Sequence, residues 1–552
     1  MVGNPVADCA QCCVRTVVHS APRMASEQLS LPKLDSGSSD ASLYRLPHDR
    51  RVWVNRSLRM DQVEWVGFDM DYTLAIYRQT EIDRLSIEAT VRKLIERGYP
   101  RELADVPFAY DFPVRGLLID KRYGHLLKMD RYKYVGKGYH GMRPLTREER
   151  RGLYHSRRVR PVAPRYHWID TLYALPEAAL YAGAVDLLDR TGTPVDYARL
   201  FEDIRECIDA AHRDGAIVDV IRSELDRFVE RDPELPTTLH KLRSAGKKLF
   251  LLTNSQWAYT DAMMTYLLGD TLAEYPSWRH FFDAVVVAAS KPAFFQERRP
   301  FAERIGSELI ATTRLERGKI YEGGNIRDFE RMIRTGGDSV LYVGDHIYGD
   351  ILRSKKESAW RTMMIVQEMA AESAAMGRIQ REVERLDGVA RQRDRLEDEL
   401  RFRQARLKAV LRAMADRGIP LPPNGAATES IPPGGPDADR PETAGDAMSQ
   451  ALRSASLQEL EAQRLHEKRG IERIRAALRE IDEQGRRLGH DVDQAFHPYW
   501  GSIFKLGVEL SSFGDQVETY ACLYTTRVSN LHLYSPLHFF RSPRDLMPHE
   551  LP

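Results

Sequence analysis

Four short apolar runs recur along the chain, and each is bounded by a polar or glycine turn. They lie at residues 64–68, 248–252, 284–288 and 340–343. Runs of this length without polar alternation are typical of strands that are buried on both faces. Because helical patterns separate them, the sequence predicts an α/β protein with a parallel sheet that is covered by helices.

A long insertion separates the first two of these runs. It spans residues 81–232 and is far longer than a single crossover helix requires. Its helical patterns include residues 176–189 and 197–213, the second with apolar positions at helical spacing. We therefore predict that a cap domain of mixed α+β structure is inserted into the sheet domain.

The pattern changes after residue 366 to charged residues with apolar positions at near-heptad spacing. Two such helices are indicated, and their apolar positions are Ile379, Val383, Leu386, Leu396, Leu400, Leu407 and Leu411, then Leu457, Leu460, Ile471, Ile474, Leu478, Ile481 and Leu488. Residues 420–443, rich in Pro, Gly, Asp and Ala, separate them as a flexible linker. The sequence thus predicts a long C-terminal helical hairpin, which serves either as a packing arm or as a partner-binding device.

These patterns give a predicted domain organisation. Before the first strand the chain mixes Ser, Pro, Gly and Asp without periodicity, which indicates a disordered tail. The predicted segments are the tail (1–46), the core (47–80 and 233–366), the cap (81–232), the hairpin with its linker (367–495) and a C-terminal segment that packs back on the core (496–552).

Charge and cysteine content narrow the class of protein. Lys plus Arg (81) nearly equals Asp plus Glu (80), so no global field attracts nucleic acid or an anionic membrane. No aromatic-interleaved platform or zinc module accompanies the basic stretch 147–160, which is interpreted as a solvated face. The five cysteines, three of them at Cys9, Cys12 and Cys13, do not form a disulfide framework. With no apolar run of membrane-spanning length and no signal peptide, a cytoplasmic protein is expected.

Two aspartates, Asp69 and Asp71, follow the first buried strand at its carboxyl end, where ligands of open α/β sheets bind. One carboxylate can attack phosphorus and form an aspartyl-phosphate. The other can protonate the leaving oxygen and then deprotonate the water that hydrolyses the intermediate. Alone, this Asp-x-Asp-x-Thr pattern also fits an ordinary turn, so the later strands decide between the two readings.

Polar residues that suit a phosphate follow the next two strands. Thr253, Asn254 and Ser255 come after the second strand, and their hydroxyl, amide and backbone N–H donors can hold phosphoryl oxygens. Lys291 comes after the third strand and offers a point charge that neutralises the nucleophile and the phosphate. A phosphate site is therefore predicted at this edge of the sheet.

Two further carboxylates, Asp345 and Asp350, follow the fourth strand. Magnesium prefers hard oxygen ligands, so Asp69, Asp345 and a backbone carbonyl, expected from Asp71, would hold it together with the phosphate. Several clustered carboxylates without a cation would repel one another. The four strand ends together predict a Mg²⁺-dependent phosphatase.

The order Asp-x-Asp-x-Thr, Thr-Asn, Lys and Gly-Asp-x-x-x-x-Asp resembles that of the haloacid dehalogenase-like hydrolases, which have a Rossmann-like core. The detailed wording is similar to that of the cytosolic purine 5'-nucleotidase family. The likeness runs from about residue 50 to 370 and resumes from about 495. The segments that carry it are 68–75, 253–255 with 259–261, 344–352, 115–117, 354–356 with 360–362, and 546–550.

This resemblance implies Asp69 as nucleophile and Asp71 as acid/base, with Thr253 and Lys291 as phosphate holders and Mg²⁺ as the cofactor. It adds a role for Asp350, either in the water shell of the metal or as a support for Lys291. The implied reaction is hydrolysis of a purine nucleoside 5'-monophosphate of the IMP or GMP type, with phosphate transfer to a nucleoside as a second outcome.

A helix in the predicted cap is similar to the nucleoside-binding helix of that family. Arg205 and Asp209 lie four residues apart, hence on one helix face, and would bind base and ribose. His212 ends the same segment, and Tyr173 would stack on the purine. Without the resemblance, a surface salt bridge between Arg205 and Asp209 would be the better interpretation.

The chain departs from the family at two positions. Val218 stands where the family has a lysine that reaches the phosphate, and Ala174 stands where it has an asparagine beside the stacking aromatic residue. Phosphate affinity and base preference are therefore open, because a neighbouring residue could replace either contact.

The family also has a nucleotide effector site away from the chemistry. Asp170 stands where that site has an amide, and the residues that match its pattern are Tyr348, Lys356, Gln516 and Tyr520. Tyr348 lies between Asp345 and Asp350, so an effector that touched it would bias the catalytic loop.

Two alternatives remain open at this level. Instead of a 5'-nucleotidase, the chain could be a phosphatase for another small phosphate ester or a non-catalytic scaffold that acts through its hairpin. The cap distinguishes the substrates, and deletion of the hairpin distinguishes the enzyme from the scaffold. A homo-oligomer is expected, with no nucleic-acid or membrane partner.

Overall fold

A computed structural model describes residues 46–154, 159–160, 164–418, 452 and 454–543 of the chain. Several sequence predictions fall outside the described residues: the tail up to residue 45 with its three cysteines, the linker 420–443, the segment 546–550 and the side chain of Lys356. The domain boundaries themselves stay predictions.

Strands are spread along the whole described chain. In chain order they are β1 (Trp53–Val54), β2 (Leu58–Arg59), β3 (Trp65–Phe68), β4 (Ile76–Tyr77), β5 (Leu117–Asp120), β6 (His125–Met129), β7 (Val135–His140), β8 (Arg143–Pro144), β9 (Tyr166–Ile169), β10 (Val229–Glu230), β11 (Lys248–Leu252), β12 (Ala284–Val287), β13 (Phe301–Ile305), β14 (Glu308–Thr312), β15 (Ile320–Gly323), β16 (Val340–Gly344), β17 (Arg361–Ile365), β18 (Lys505–Leu506), β19 (Glu509–Leu510), β20 (Leu523–Thr525) and β21 (Phe539–Phe540).

Helices alternate with these strands up to β17 and dominate the chain after it. In chain order the described α-helices are α1 (Gln79–Glu96), α2 (Arg147–Tyr154), α3 (Leu175–Arg190), α4 (Tyr197–Arg213), α5 (Val218–Ser223), α6 (Leu225–Phe228), α7 (Leu235–Ser244), α8 (Trp257–Leu268), α9 (Ala293–Gln296), α10 (Ile326–Ile333), α11 (Arg353–Ser358), α12 (Met369–Ala415), α13 (Leu457–Phe496) and α14 (Ser512–Tyr520).

The central sheet has ten strands in the order β1-β20-β17-β16-β3-β11-β12-β15-β13-β14. Its seven inner strands, from β20 to β15, run parallel, whereas β1, β13 and β14 pair antiparallel at the edges. The four predicted strands are β16, β3, β11 and β12, which lie side by side, each within one residue of its predicted bounds. The predicted fold class is therefore confirmed.

The register of β3 against β11 depends on a glycine. A Cβ atom at Gly67 would lie 2.0 Å from the ring of Phe250, so only glycine lets this ring pack on the strand. The ring of Phe250 packs in turn against Phe329, with 4.8 Å between centroids, inside a buried aromatic cluster. The close packing holds the carboxyl ends of the two strands beside each other.

The insertion forms a second sheet of five strands, in the order β8-β7-β6-β5-β9 and antiparallel throughout. Helix α4 begins where the side chain of Asp196 accepts hydrogen bonds from the backbone N–H groups of Ala198 and Arg199. Its buried apolar face packs on α1 and α3. The predicted helices at 176–189 and 197–213 correspond to α3 and α4.

A short two-stranded ribbon lies where the chain enters and leaves the insertion. Strands β4 and β10 pair antiparallel there, with Tyr77 opposite Val229 and Ile76 opposite Glu230. The backbone N–H of Arg78 continues the pairing by donating to the carbonyl of Phe228. This ribbon, which we call the hinge ribbon, places Tyr77 between the sheet domain and the insertion.

Helices α12 and α13 pack against each other as the predicted hairpin. A buried cluster of Val410, Met414, Leu452 and Leu460 closes its far end. At its near end α12 bends at Ile379, whose φ of −114° and ψ of 19° are not helical. No helix among the described residues is long and apolar enough to cross a membrane.

The segment after the hairpin returns to both sheets. Strand β20 pairs with β17 and β1 in the central sheet. Further upstream, the buried ammonium of Lys128 in β6 donates to the backbone carbonyls of Trp500, at 2.8 Å, and Ser502, at 2.5 Å. The returning segment therefore joins the insertion to the central sheet.

Candidate active site

The carboxyl ends of β16, β3, β11 and β12 meet below a cavity of about 940 Å³. Nine of the residues that the sequence predicts for the site line this cavity, and they are Asp69, Asp71, Tyr173, His212, Asn254, Ser255, Lys291, Asp345 and Asp350. Parallel strands bring these residues together because their carboxyl ends share one edge of the sheet.

Lys291 is the central cation of the cavity floor. Its Nζ lies 2.9 Å from Asp69 Oδ1 and 2.7 Å from Asp350 Oδ1, and it donates at 3.0 Å to the hydroxyl of Tyr342. These contacts use all three N–H donors of the ammonium. Only 4% of the Lys291 side chain is exposed, so its charge acts in a low-dielectric setting. Two roles are predicted for Asp350, and the contact between Lys291 and Asp350 corresponds to the second of them, the support of Lys291.

Asp350 approaches the floor because the strand end beside it is a glycine. A Cβ atom at Gly344 would lie 2.7 Å from both Cβ and Oδ2 of Asp350. The chain then forms a single π-helical turn, Ile347–Leu352, which carries Asp350 back towards β16. Glycine at position 344 is therefore a condition for the contact between Asp350 and Lys291.

Asp345 follows β16 and lines the cavity beside Asp69 and Asp350. Its Oδ2 is buried and has no hydrogen-bond partner among the described residues. Its backbone carbonyl accepts a hydrogen bond of 2.8 Å from the buried guanidinium of Arg115. Arg115 in turn donates to both carboxylate oxygens of Glu368, at 2.7 and 2.5 Å.

One oxygen from each of Asp69, Asp345 and Asp350 lies within 4.8 Å of the other two. Hard carboxylate oxygens at this spacing, one of them orphaned on Asp345, fit a divalent cation such as Mg²⁺. The carbonyl contribution expected from Asp71 stays a prediction.

Asp71 accepts two hydroxyl hydrogen bonds, one on each oxygen. The hydroxyl of Ser255 donates to Oδ2 at 2.6 Å, and the hydroxyl of Tyr77 donates to Oδ1 at 2.5 Å. Burial raises the pKa of Asp71, and the hydrogen bonds from Ser255 and Tyr77 oppose this rise. The hydroxyl of Tyr259 lies 2.8 Å from that of Tyr77 and extends the chain of hydroxyls away from Asp71.

The predicted phosphate holders lie around β11. Asn254 and Lys291 tie the two loops together, since the Asn254 amide donates to the Lys291 carbonyl at 3.0 Å and its oxygen accepts from the Lys291 N–H at 2.5 Å. Thr253 is fully buried and does not line the cavity. Its hydroxyl accepts a hydrogen bond of 3.1 Å from the backbone N–H of Ser255, so Thr253 shapes the loop that carries the cavity residues Asn254 and Ser255.

Burial and neighbouring charges set the protonation of the floor. Burial raises the pKa of Asp69 well above its usual range, and the neighbouring carboxylates add to this against the opposing charge of Lys291. Burial also raises the pKa of Asp345 to about 7, although Arg115 opposes it. Burial lowers the pKa of Lys291, but the carboxylates of Asp350 and Asp69 outweigh this and raise it.

The wall opposite the floor comes from the insertion. Tyr173 stacks on His212, with 4.8 Å between ring centroids, and both line the cavity. Val218 lines it too, in place of the expected lysine, and the exposed Arg213 lies nearby on the same wall.

The two residues predicted to bind the nucleoside lie behind this wall. Neither Arg205 nor Asp209 is among the described residues that line the cavity. Arg205 instead lies 3.0 Å from His167 Nε2 and 3.8 Å from Glu177 Oε1. The carboxylate Oε1 of Glu177 is itself buried without a hydrogen-bond partner among the described residues.

The residues predicted for an effector site lie beside the π-helical turn. Tyr348 on that turn is 41% exposed, and the guanidinium of Arg353 lies over its ring. Gln516 and Tyr520 belong to α14, which packs against the same turn. Asp170 forms an ion pair with His346, 3.3 Å between Oδ2 and Nε2. Effector binding by these residues stays a prediction.

Three residues of the site escaped the sequence analysis in this role. Tyr77 and Tyr342 lie in strands, where an aromatic residue ordinarily indicates core packing. Arg115 falls in the segment 115–117 that carries the resemblance, which was the available signal. Their contacts in the folded chain reveal all three, Tyr77 with Asp71, Tyr342 with Lys291 and Arg115 with Asp345.

Comparison with known proteins agrees with this architecture. The model of the 5' nucleotidase family matches residues 52–552. The match covers most of the chain, and the chain therefore belongs to the 5'-nucleotidase family.

Two curated relatives are similar over part of the chain. A 5'-nucleotidase domain-containing protein of Dictyostelium discoideum is 31% identical over 364 residues, which are 64% of this chain and 61% of the relative. Human 5'-nucleotidase domain-containing protein 2 is 34% identical over 338 residues, which are 58% of this chain and 64% of the relative. The chain thus spans about three fifths of the length of the relatives it matches.

Solved structures are more distant. CbbY from Rhodobacter sphaeroides in complex with phosphate has 14% sequence identity and a TM-score of 0.22, and the match covers 55% of this chain and 86% of that chain. A similarity this low carries no argument about function.

Proposed function

We propose that this protein is a Mg²⁺-dependent 5'-nucleotidase that hydrolyses purine nucleoside 5'-monophosphates through an aspartyl-phosphate. The observation that carries the proposal is the cavity floor, where the ammonium of Lys291 bridges Asp69 and Asp350 beside Asp345. Membership of the 5'-nucleotidase family supports hydrolysis of a phosphoric monoester.

In the first step a carboxylate oxygen of Asp69 attacks the phosphorus atom. The bond between phosphorus and the 5' oxygen breaks, and the leaving oxygen takes a proton from Asp71. In the second step Asp71, now a carboxylate, takes a proton from water while that water attacks the phosphorus of the aspartyl-phosphate. Orthophosphate leaves and Asp69 is regenerated. Transfer to a nucleoside follows the same course when its hydroxyl replaces the water.

Protein groups around Asp69 supply positive charge and donors for the phosphoryl oxygens. Lys291 neutralises part of the charge that accumulates on the nucleophile and the phosphate. Asn254 fixes the backbone of Lys291, and Thr253 shapes the turn that presents Ser255. Lys291 and Ser255 would therefore face the phosphate, and Asn254 and Thr253 would orient them from behind.

Asp69, Asp345 and Asp350 would hold the metal ion, directly or through its water shell. A bound Mg²⁺ supplies positive charge that offsets the three carboxylates and the phosphate, and it keeps Asp69 ionised.

The purine half of the proposal rests on the wall of the cavity. Tyr173 and His212 offer ring faces on which a base can stack. Arg205 and Asp209 lie behind the wall, so a nucleoside contact requires Arg205 to leave His167 and Glu177. This observation favours a second candidate function, hydrolysis of another small phosphate ester.

We also infer a homo-oligomer and a nucleotide effector beside Tyr348. Both proposals come from the sequence, and the second finds support in the contact between the π-helical turn and α14.

The test is a panel of nucleoside monophosphates and p-nitrophenyl phosphate, assayed with Mg²⁺ on the wild type, Asp69→Asn and Arg205→Ala with Asp209→Ala. We expect Asp69→Asn to lose turnover of every substrate. The Arg205 and Asp209 changes should damage purine nucleotide turnover far more than that of the aryl phosphate. Turnover that survives Asp69→Asn would contradict the mechanism. Equal losses of purine nucleotide and aryl phosphate turnover after the Arg205 and Asp209 changes would point to a different ester.

A further inference from the structure

The general acid Asp71 needs a fixed orientation, because its proton must reach the leaving oxygen at the moment the phosphorus–oxygen bond breaks. Its two hydrogen-bond partners differ in stiffness. The hydroxyl of Ser255 turns about a single bond, whereas the hydroxyl of Tyr77 lies in the plane of its ring and moves only with that ring. Ser255 can therefore turn to a substrate while Tyr77 stays in place.

The ring of Tyr77 is held on several sides. It is buried, with 8% of the residue exposed, and its centroid lies 4.8 Å from that of Tyr72. Because its single hydroxyl hydrogen goes to Asp71, the neighbouring hydroxyl of Tyr259 must be the donor in their 2.8 Å contact. The hydroxyl is thus directed at Oδ1 of Asp71.

The backbone of Tyr77 belongs to the hinge ribbon, opposite Val229. The residue that holds Asp71 therefore lies on the connection between the sheet domain and the insertion whose wall covers the cavity.

We propose that Tyr77 is a positioning residue for the acid/base Asp71, and that its hydroxyl sets the direction in which Asp71 delivers the proton. The proposal rests on the proposed function. It predicts that loss of this hydroxyl slows proton delivery and leaves the attack of Asp69 on phosphorus intact. Ser255, on the other oxygen of Asp71, is the partner that is released when substrate enters.

Leaving-group basicity separates this role from a merely structural one. Phenyl phosphate and p-nitrophenyl phosphate have nearly the same shape, but p-nitrophenolate leaves without a proton whereas phenolate needs one. We expect Tyr77→Phe to lower kcat/KM roughly tenfold or more for phenyl phosphate and for inosine 5'-monophosphate, and by less than about twofold for p-nitrophenyl phosphate. The quantity to measure is kcat/KM, because it reports on the first chemical step.

The matched control is Tyr139→Phe. Tyr139 lies in β7 of the insertion, and its hydroxyl donates to the backbone carbonyl of Tyr499 at 3.2 Å. Tyr139 and Tyr499 are not among the residues that line the cavity. This variant loses a tyrosine hydroxyl that makes one hydrogen bond, and it should leave the kcat/KM ratio of the two aryl phosphates unchanged.

A second measurement asks whether Tyr77 acts through Asp71. In the Asp71→Asn background, Tyr77→Phe should cause no further loss on phenyl phosphate, since residues that act as one unit are not additive. Equal losses on both aryl phosphates, no loss on either, or a full loss in the Asp71→Asn background would each overturn the proposal. Aryl phosphate turnover that survives Asp69→Asn would overturn the proposed function together with it.

Discussion

At the scale of single residues, the geometry of the site depends on a lysine, Lys291, and on a glycine, Gly344. The ammonium of Lys291 directs its three N–H donors to Asp69, Asp350 and Tyr342. Asp350 reaches it only because no Cβ occupies position 344, where one would lie 2.7 Å from the Asp350 carboxylate. The charge balance of the floor is therefore sensitive to a single methyl group.

Gly344→Ala should push Asp350 away from Lys291 without removing any group that reacts. Since a misplacement of about 1 Å can cost about 100-fold in rate, we expect a loss of roughly that size in kcat. Steady-state kinetics with Mg²⁺ measure it. Gly388→Ala in α12 is the matched control, because nothing lies within 4 Å of a Cβ there. Equal activity of Gly344→Ala and wild type would contradict the role assigned to the glycine.

At the scale of elements, the returning C-terminal segment is attached to the insertion through a buried lysine. Burial lowers the pKa of Lys128 from its ordinary 10.5 to about 7, and the charge of Lys137 adds to the effect. Between those pH values the unfolded chain binds a proton that the folded protein lacks. The free energy of unfolding therefore increases as the pH is raised from about 7 towards 10.5, and it decreases when the pH is lowered over the same window.

Lys128→Met should remove this dependence. We expect the melting temperature of wild type, measured relative to that of the variant, to increase between about pH 7 and pH 10. Other groups titrate in both proteins, so their contributions cancel in the difference. Two melting curves that stay parallel across the pH series would rule out this linkage.

Among the described residues, the start of the helical hairpin contacts the surroundings of the site. Glu368 pairs with Arg115, and Glu372 accepts hydrogen bonds from Ser502 and Ile503. Beyond them the guanidinium of Arg378 lies 3.5 Å from the carbonyl of Ala495, so the two helices can be joined here by a short linker.

Replacing residues 378–488 with a short Gly/Ser linker should leave kcat/KM unchanged, because Glu368 and Glu372 stay in place. Circular dichroism verifies the fold, and gel filtration reports any change in assembly. Glu368→Gln in the full chain is the comparison, and it should lower activity because Arg115 loses its partner behind Asp345. An inactive but folded deletion variant would favour a hairpin that takes part in function.

On the scale of the whole molecule, the proposed metal site joins parts of the chain that are far apart in sequence. Asp69 follows β3, whereas Asp345 and Asp350 follow β16. An ion bound by all three would favour the folded state, because the unfolded chain cannot assemble the three carboxylates.

Mg²⁺ should therefore raise the melting temperature of the wild type, and at 100 times its dissociation constant the gain in stability would be about 2.7 kcal/mol. Asp345→Asn should lose this increase while retaining its fold. Sodium chloride at equal ionic strength is the control for general screening. The same Mg²⁺ response in wild type and Asp345→Asn would show that the ion acts elsewhere.

The sequence alone determined the sheet class, the four central strands and the carboxylates, hydroxyls and lysine at their ends. This succeeded because short buried strands and the polar residues that follow them are local patterns. The edge strand β14 was missed because most of its residues are exposed, and the inner strand β20 was missed because it comes from the last part of the chain.

Only the tertiary structure decided which partner each side chain has. It placed Tyr77 on Asp71, Arg115 behind Asp345 and Glu368, and Arg205 on His167 rather than in the cavity. These contacts join residues that belong to different elements, and several are far apart along the chain. Their distances depend on how sheets and helices pack, which no local pattern in the sequence encodes.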